Sequence, residues 1–309
     1  MPEYPDIIVY LERLNALLLG QALEQVRIVS PFLLRSVDPP IQEVVHKKLI
    51  GFQRLGKQIV FAFEDKFYLI FHLMVAGRFH WRALGAAVPA KVGLAGFDFP
   101  NGTLLLTEAG TKKRASLHLI RGEFQLLSFD AGGLDVLTAS FSEFKARLRS
   151  ENHTLKRALT DPHLFSGIGN TYSDEILHRA RLSPVMLTSR ISDAQIEQLY
   201  QAAQTTLIEW VNRLRAEAGD GFPEKVTAFR ADMAVHGRFG KPCPVCGTII
   251  QRIRYAENET NYCPTCQTSG RLLADRSLSR LLRSDWPKNL DELEAHASKF
   301  RGAIERGRT

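Results

Sequence analysis

Apolar residues first recur with a helical period. Ile7, Ile8, Leu11, Leu14 and Leu18 fall at the three- and four-residue spacing of one buried face, and Gly20 ends the run. The pattern predicts a helix over about 5–19. Proline suits its first turn because the missing N–H would be unpaired there, and Glu3 and Asp6 suit the positive end of the helix dipole. The period then shortens. LEQVRIVS, KQIVFAFE, KFYLIFHLM, GRFHWRAL, TLLLTE, RASLHLI and GEFQLLS are short, rich in β-branched and aromatic residues, and bounded by Gly, Pro, Asp or Asn, which predicts strands. Only PPIQEVVHKKLIG between them reads as helical, and GAAVPAKVG (85–93) reads as a mobile connection. Many short strands at this spacing suggest a β-sandwich or barrel.

From about residue 139 the helical period returns in FSEFKARLRS, TLKRALTD, NTYSDEILHRARL and the long SDAQIEQLYQAAQTTLIEWVNRLRAEAG, where Ser192 and Gln195 form a capping box. LFSGIGN (164–170) turns sharply into a helix N-terminus, and LLADRSLSRLLRSDWP is expected to be helical as far as Pro287. The expected fold class is α+β and multidomain. It divides into an N-terminal β-sandwich with an N-terminal helix (1–135), a helical region (136–234), a cysteine module (235–270) and a basic helical tail (271–309).

Composition changes this picture in one respect. Hydrophobic residues at 45% and charged residues at 24% are ordinary for a globular chain of 309 residues, but a net charge of +7 and a pI near 9.3 point to polyanion partners. Asp6, Glu12 and Arg13 interrupt any signal-peptide core, and no apolar run reaches the roughly 18–20 residues of a membrane span. The expectation is an intracellular protein without a membrane anchor.

The four cysteines sit in two pairs, Cys243/Cys246 in CPVC and Cys263/Cys266 in CPTC, with sixteen residues between them. In an intracellular chain this spacing is a zinc pattern, in which each turn offers two thiolates to a tetrahedral ion with no position left open for catalysis. One structural Zn2+ is expected. The intervening GTIIQRIRYAENETNY alternates like a hairpin and carries Arg252 and Arg254, so the module is either a basic nucleic-acid-binding finger or a staple that only stabilises the fold. GIGN entering a helix is either a phosphate site built of backbone N–H groups with Asn170 as an added donor, or a plain corner. Lys57 in RLGKQ and His72 in FHLM flank a pair of strands, and each is uninformative alone.

Taken in order, PEYPDI, LGK, HLMVAGR, GIGNTYSDEILHRARLSP and CPVC…CPTCQ resemble the formamidopyrimidine-DNA glycosylase and endonuclease VIII family of base-excision repair enzymes, over residues 2 to about 267. The resemblance implies a β-sandwich, a helix–two-turn–helix domain and a zinc-finger hairpin, with DNA in the cleft between them. It implies a catalytic set of Pro2, Glu3 and Lys57. Pro2 is the amine that attacks C1′ and Glu3 the adjacent acid/base, while Lys57, His72 and Asn170 hold phosphates around a flipped nucleotide. Cys243, Cys246, Cys263 and Cys266 become the zinc ligands. The expected partner is double-stranded DNA with a damaged base or abasic site, met by a monomer in a bacterial cytoplasm, at the nucleoid.

The opening stretch then makes chemical sense. A chain-terminal amine has an unperturbed pKa of about 7.7–8.0, so a usable fraction is neutral near pH 7. Removal of Met1 is a requirement, because with Met1 attached the Pro2 nitrogen is an amide.

The chain departs from the family pattern at three places. Asn258 stands where an arginine of the zinc hairpin usually grips phosphate. Val75, beside Met74, stands where enzymes acting on oxidised guanine carry a gap-filling methionine. TEAGTKKRASLHL replaces the loop that probes the opposite base, with Lys112, Lys113 and Arg114 restoring charge but no aromatic wedge. These departures give no basis for naming the lesion. They also motivate a second reading, a non-catalytic damaged-DNA-binding protein on the same scaffold, while the basic charge and zinc module alone would allow a third, a zinc-ribbon RNA binder. The tail arginines Arg276, Arg280 and Arg283 read as a further DNA contact or a solvated face.

Overall fold

A computed structural model describes residues 1–255, 258–274, 287–293 and 295; the expected tail helix with Arg276, Arg280 and Arg283 lies outside them. The chain forms two compact units: Met1–Ala139 with Asp161–Gly169 and Leu207–Ala228, and Ser140–Thr160 with Asn170–Thr206 and the residues from Phe229 on.

The first unit opens with helix α1 (Tyr4–Leu18), whose apolar stripe buries Ile7, Tyr10, Leu14 and Leu18. Eight strands follow: β1 (Gln25–Ile28), β2 (Leu49–Leu55), β3 (Gln58–Phe63), β4 (Phe67–His72), β5 (Gly77–Arg82), β6 (Gly93–Phe99), β7 (Gly102–Glu108) and β8 (Ser116–Arg121). They make two four-stranded antiparallel sheets, ordered β1-β6-β7-β5 and β2-β3-β4-β8. The inward faces share one core in which Phe71 meets Phe79 edge-on at 5.2 Å and Phe97 at 5.2 Å. This is the expected sandwich.

Local readings differ at three places. GEFQLLS is helix α2 (Glu123–Leu127), entered from Gly122 at φ +96°; five residues are too few to show a helical period, and Phe124 stays 88% exposed. PPIQEVVHKKLIG holds only a short 3-10 turn at Ile41–Val44, because His46 takes φ +67° and the chain then extends into β2. Strand β6 was hidden by its glycines. Gly96 pairs with Arg27 of β1, and a Cβ there would stand 3.1 Å from the Arg27 guanidinium, which reaches over the strand to Asp98 at 2.7 Å.

The second unit contains α3 (Phe141–Arg149), α4 (Leu155–Thr160), α5 (Asn170–Arg179) and the first part of α6 (Asp193–Ala218). A capping box starts α3, with Ser140 N–H donating to Glu143 at 2.8 Å and Glu143 N–H returning to Ser140 Oγ. The expected box at α6 forms likewise, Ser192 N–H to Gln195 Oε1 at 3.0 Å and Gln195 N–H to Ser192 Oγ at 3.3 Å. Strands β9 (Gln251–Tyr255) and β10 (Asn258–Tyr262) pair as an antiparallel hairpin, followed by the short helix α7 (Pro264–Thr268). Among the described residues no helix is long and apolar enough to cross a membrane.

Candidate active site and nucleic-acid interface

In the first unit, Pro2 is buried directly before α1 and Glu3 is its N-cap, 2% exposed. Glu3 N–H donates to Asp6 at 3.0 Å, and the Glu3 carboxylate accepts the Gly169 N–H at 2.8 Å. Tyr4 N–H donates to Gly167 O at 2.9 Å. The GIGN turn therefore spends a backbone donor on the Glu3 carboxylate. Its glycines are required by space, since a Cβ on Gly169 would lie 2.5 Å from Glu3 Cδ. Burial lowers the pKa of the chain-terminal amine at Met1, opposed by Glu3 and Asp6 and helped by Arg78 and Lys57. Pro2, one residue further in, would offer its amine in the same surroundings once Met1 is gone.

Lys57 and His72 come together at one end of the β2-β3-β4 sheet. The turn between β2 and β3 consists of Gly56 and Lys57, and Gly56 supplies the φ of +59° that favours glycine at the first position of a two-residue hairpin. Gln58 then pairs with His72, the last residue of β4. Burial first, then the charges of Lys57 and His118, hold the His72 pKa below its ordinary 6.5, so the ring is neutral at pH 7. Two residues of this neighbourhood escaped the sequence. Arg78 on β5 donates to the carbonyls of Val226, Val75 and Gly77. Arg54 on β2 is bound to Asp135 and Ser166. Only their neighbours in three dimensions distinguish them from other strand arginines.

The basic loop between β7 and β8 is organised by Glu108, 1% exposed, which accepts the N–H groups of Arg114 at 2.8 Å and Ala115 at 3.1 Å. Lys113 Nζ donates to the Glu108 carbonyl, while Lys112 is exposed at the loop tip. Val75 is 60% exposed in the turn after β4, with Met74 beside it at φ +52°.

In the second unit, Asn170 begins α5, and its side-chain N–H donates to Glu259 O of β10 at 2.8 Å. Asp174, one turn on, is fully buried and ties α4, the 234–236 segment and β10 together. It accepts from Lys156 Nζ at 2.5 Å, pairs with His236 Nδ1 at 2.8 Å and accepts the Asn261 N–H at 3.1 Å. Next to it, Glu175 accepts the N–H groups of Ala234, Val235 and His236. On the hairpin, Arg252 bonds Glu259 at 3.1 Å and lies 4.1 Å from the Phe239 ring. Arg254 is more exposed, 3.5 Å from the same carboxylate, and Asn258 is exposed at the start of β10.

The sulfurs of Cys243, Cys246, Cys263 and Cys266 lie within 4.8 Å of one another, with separations of 4.0 Å (Cys243–Cys266) and 3.4 Å (Cys246–Cys263). A tetrahedral zinc with Zn–S bonds of about 2.3 Å sets sulfurs about 3.8 Å apart, so the donor set fits one structural Zn2+. Backbone N–H groups of Val245 and Cys266 point at Cys243 and Cys263 sulfurs, as stabilised thiolates require. His178 adds a ring nitrogen 3.3 Å from Cys243 Sγ; burial first, then Arg181 and Arg179, push its pKa down to about 4.

A buried proline at position 2 with an adjoining carboxylate, on a sandwich accompanied by a helical unit and a four-cysteine hairpin, fits a class of DNA-processing protein. Three family models match: the formamidopyrimidine-DNA glycosylase N-terminal domain over residues 1–118, the formamidopyrimidine-DNA glycosylase H2TH domain over 133–217, and the zinc finger found in FPG and IleRS over 240–268. The chain is 32% identical to the formamidopyrimidine-DNA glycosylase of Thermus thermophilus over 285 residues, covering 87% of this chain and all of that one. It is 40% identical over 151 residues to an uncharacterized formamidopyrimidine-DNA glycosylase-like protein of Mycobacterium tuberculosis, covering 49% of this chain and 94% of that one. Among solved structures, the Lactococcus lactis Fpg complex with abasic-site DNA superposes with a TM-score of 0.76 at 25% identity, covering 86% of this chain and 99% of that one. MutM in complex with carbocyclic 8-oxo-G containing DNA gives 0.77 at 25%, covering 86% and 100%. The chain belongs to the formamidopyrimidine-DNA glycosylase family.

Proposed function

We propose that this chain is a bifunctional DNA glycosylase and AP lyase that excises a damaged base through an amine at Pro2. The observation that carries the reading is the placement of Glu3, buried and held by the Gly169 N–H, beside a terminus whose surroundings favour the neutral amine. In this mechanism the Pro2 lone pair bonds to C1′ as the glycosidic bond breaks and the base leaves. Glu3 protonates the ring oxygen, the sugar opens, and the resulting iminium withdraws electrons from C2′. Loss of the C2′ proton then expels the 3′ phosphate, and water releases Pro2. Lys57 and His72 in the first unit and Asn170 in the second hold phosphates, with Arg252, Arg254 and Asn258 on the hairpin and Lys112, Lys113 and Arg114 on the β7–β8 loop adding backbone contacts. Cys243, Cys246, Cys263 and Cys266 would hold a zinc ion that cross-links the hairpin and takes no part in the reaction. The non-catalytic and RNA-binding readings are not favoured, since a binder has no use for a buried amine and acid pair. Monomeric action in a bacterial cytoplasm belongs to the same proposal.

Borohydride trapping on an oligonucleotide with one abasic site tests it, using zinc-loaded protein whose Met1 removal is verified by intact mass. A covalent adduct mapped to Pro2 is expected. Pro2→Gly should lose cleavage by roughly 10³-fold or more while keeping its affinity for the same DNA. Tight binding by the wild-type protein with no adduct would make it a damage-binding protein.

A further inference from the structure

The reaction described above leaves Arg54 unused, although it is closely enclosed by the sandwich unit's own groups. Its side chain is only 9% exposed, and the guanidinium is engaged on its edges and its face. Nη1 donates to Gly56 O at 2.7 Å and to Ser166 Oγ at 2.8 Å, and Nη2 pairs with Asp135 at 2.5 Å. The face lies 4.3 Å from the centre of the Tyr4 ring.

Two of these partners, Tyr4 and Ser166, belong to the segments that hold Glu3. Tyr4 follows it in the chain and is tied by its N–H to Gly167 O, one residue after Ser166. Gly169, at the end of the same turn, donates to the Glu3 carboxylate. The packing leaves little slack: a Cβ on Gly167 would stand 2.8 Å from Arg54 Nη1 and 3.0 Å from the Tyr4 ring. A guanidinium suits this place because its planar fork bonds two directions at once while its face stacks, which an ammonium does not reproduce. A buried ion pair is weak evidence of stability, because desolvation offsets most of its attraction. Its retention here fits a role in setting geometry.

We propose that Arg54 is the positioning residue for the acid of this site: it clamps the first turn of α1 to the 166–169 turn and thereby sets where the Glu3 carboxylate points. The proposal rests on the Pro2–Glu3 reading for its functional meaning, and on the contacts above for its geometry.

The test compares the full-length, Met1-processed, zinc-loaded wild type with Arg54→Lys, Arg54→Met and Ser166→Ala. Amide exchange at Tyr4 and Gly169 reads the clamp directly, and single-turnover cleavage, DNA affinity and the pH–rate profile read its consequence. Arg54→Lys should speed exchange at those two amides about tenfold or more while leaving β3 and β4 protected. Its single-turnover rate should fall roughly 10- to 100-fold at unchanged affinity, with a displaced Glu3 limb in the pH profile. Ser166→Ala, which removes a single link, should move the same readouts by less. Wild-type exchange at Tyr4 and Gly169 in Arg54→Lys and Arg54→Met would overturn the clamp. Loss of protection throughout the sheets in every Arg54 variant, or equal losses of rate and affinity, would make the residue merely structural and also overturn it. Should the wild type itself give no borohydride adduct, the Pro2 reading fails, and exchange at Tyr4 and Gly169 still decides whether Arg54 holds Glu3.

Discussion

In the sandwich unit, Glu3 is placed by protein groups alone: two backbone donors, a capping carboxylate and two glycines that leave no space for a side chain. In the helical unit the hairpin with Arg252, Arg254 and Asn258 is organised around four thiols that converge on one point and fit a metal ion. Its other ties include polar ones, through Asp174 to Asn261 and Asn170 to Glu259, and a small apolar cluster of Val235 and Ile250 around Cys243 and Cys263. The first arrangement is rigid because a dense core backs it, and the second is conditional on an ion. Chemistry that tolerates little misplacement is expected in the former, and charge contacts to a polymer suit the latter.

The sharpest way to break this comparison is to remove the metal. Structural zinc contributes about 10–16 kcal/mol of apparent binding energy in isolated fingers, so Cys263→Ser or chelation should unfold the hairpin and abolish tight DNA binding. The thermal transition of the sandwich should survive, as followed by amide exchange in β3 and β4. Loss of both together would show that the hairpin is not separately conditional.

Next in size is Gly169→Ala. Its Cβ would sit 2.5 Å from Glu3 Cδ, so the carboxylate must shift, and single-turnover cleavage should drop roughly 10- to 100-fold with DNA affinity retained. A rate within twofold of wild type would show that Glu3 does not need its present position.

Smaller effects are expected on the charge contacts. Asn258→Arg should tighten DNA binding and raise the slope of log affinity against log salt by about 0.9, as one added phosphate contact requires. An unchanged slope would place position 258 away from the backbone. The smallest effect concerns His72. Burial keeps its imidazole neutral, so the folded protein holds fewer protons than the unfolded chain in the window just below pH 6.5, and its contribution to stability falls as pH drops through that window. A bound phosphate favours the charged ring, so DNA affinity should rise on going from pH 7.5 to 6, and His72→Gln should flatten that dependence. A profile identical in both proteins would remove His72 from the phosphate contacts.

Some of this molecule was legible in one dimension. The stripe of Ile7, Leu11, Leu14 and Leu18 called for α1, the alternating aromatic segments called for strands, and two CxxC pairs at this spacing called for a four-sulfur site, because each signal is carried by residues near one another in the chain. Glycine-rich β6 was not legible, since what makes Gly96 suitable is Arg27 on a neighbouring strand. Likewise GIGN announced a turn, but not that Gly169 would serve Glu3, 166 positions earlier.

The sequence alone therefore determined which groups the chain offers for chemistry: a proline and an adjoining acid at positions 2 and 3, four thiols and a surplus of cations. Local order was enough for that, because reactivity belongs to residue types and their immediate neighbours. Which of its many arginines and carboxylates act together was decided only by the tertiary structure. Arg54, Asp135, Ser166 and Tyr4 are scattered along the chain, and hydrogen bonds of 2.5–2.9 Å exist only after the sheets and turns have brought their ends to one place.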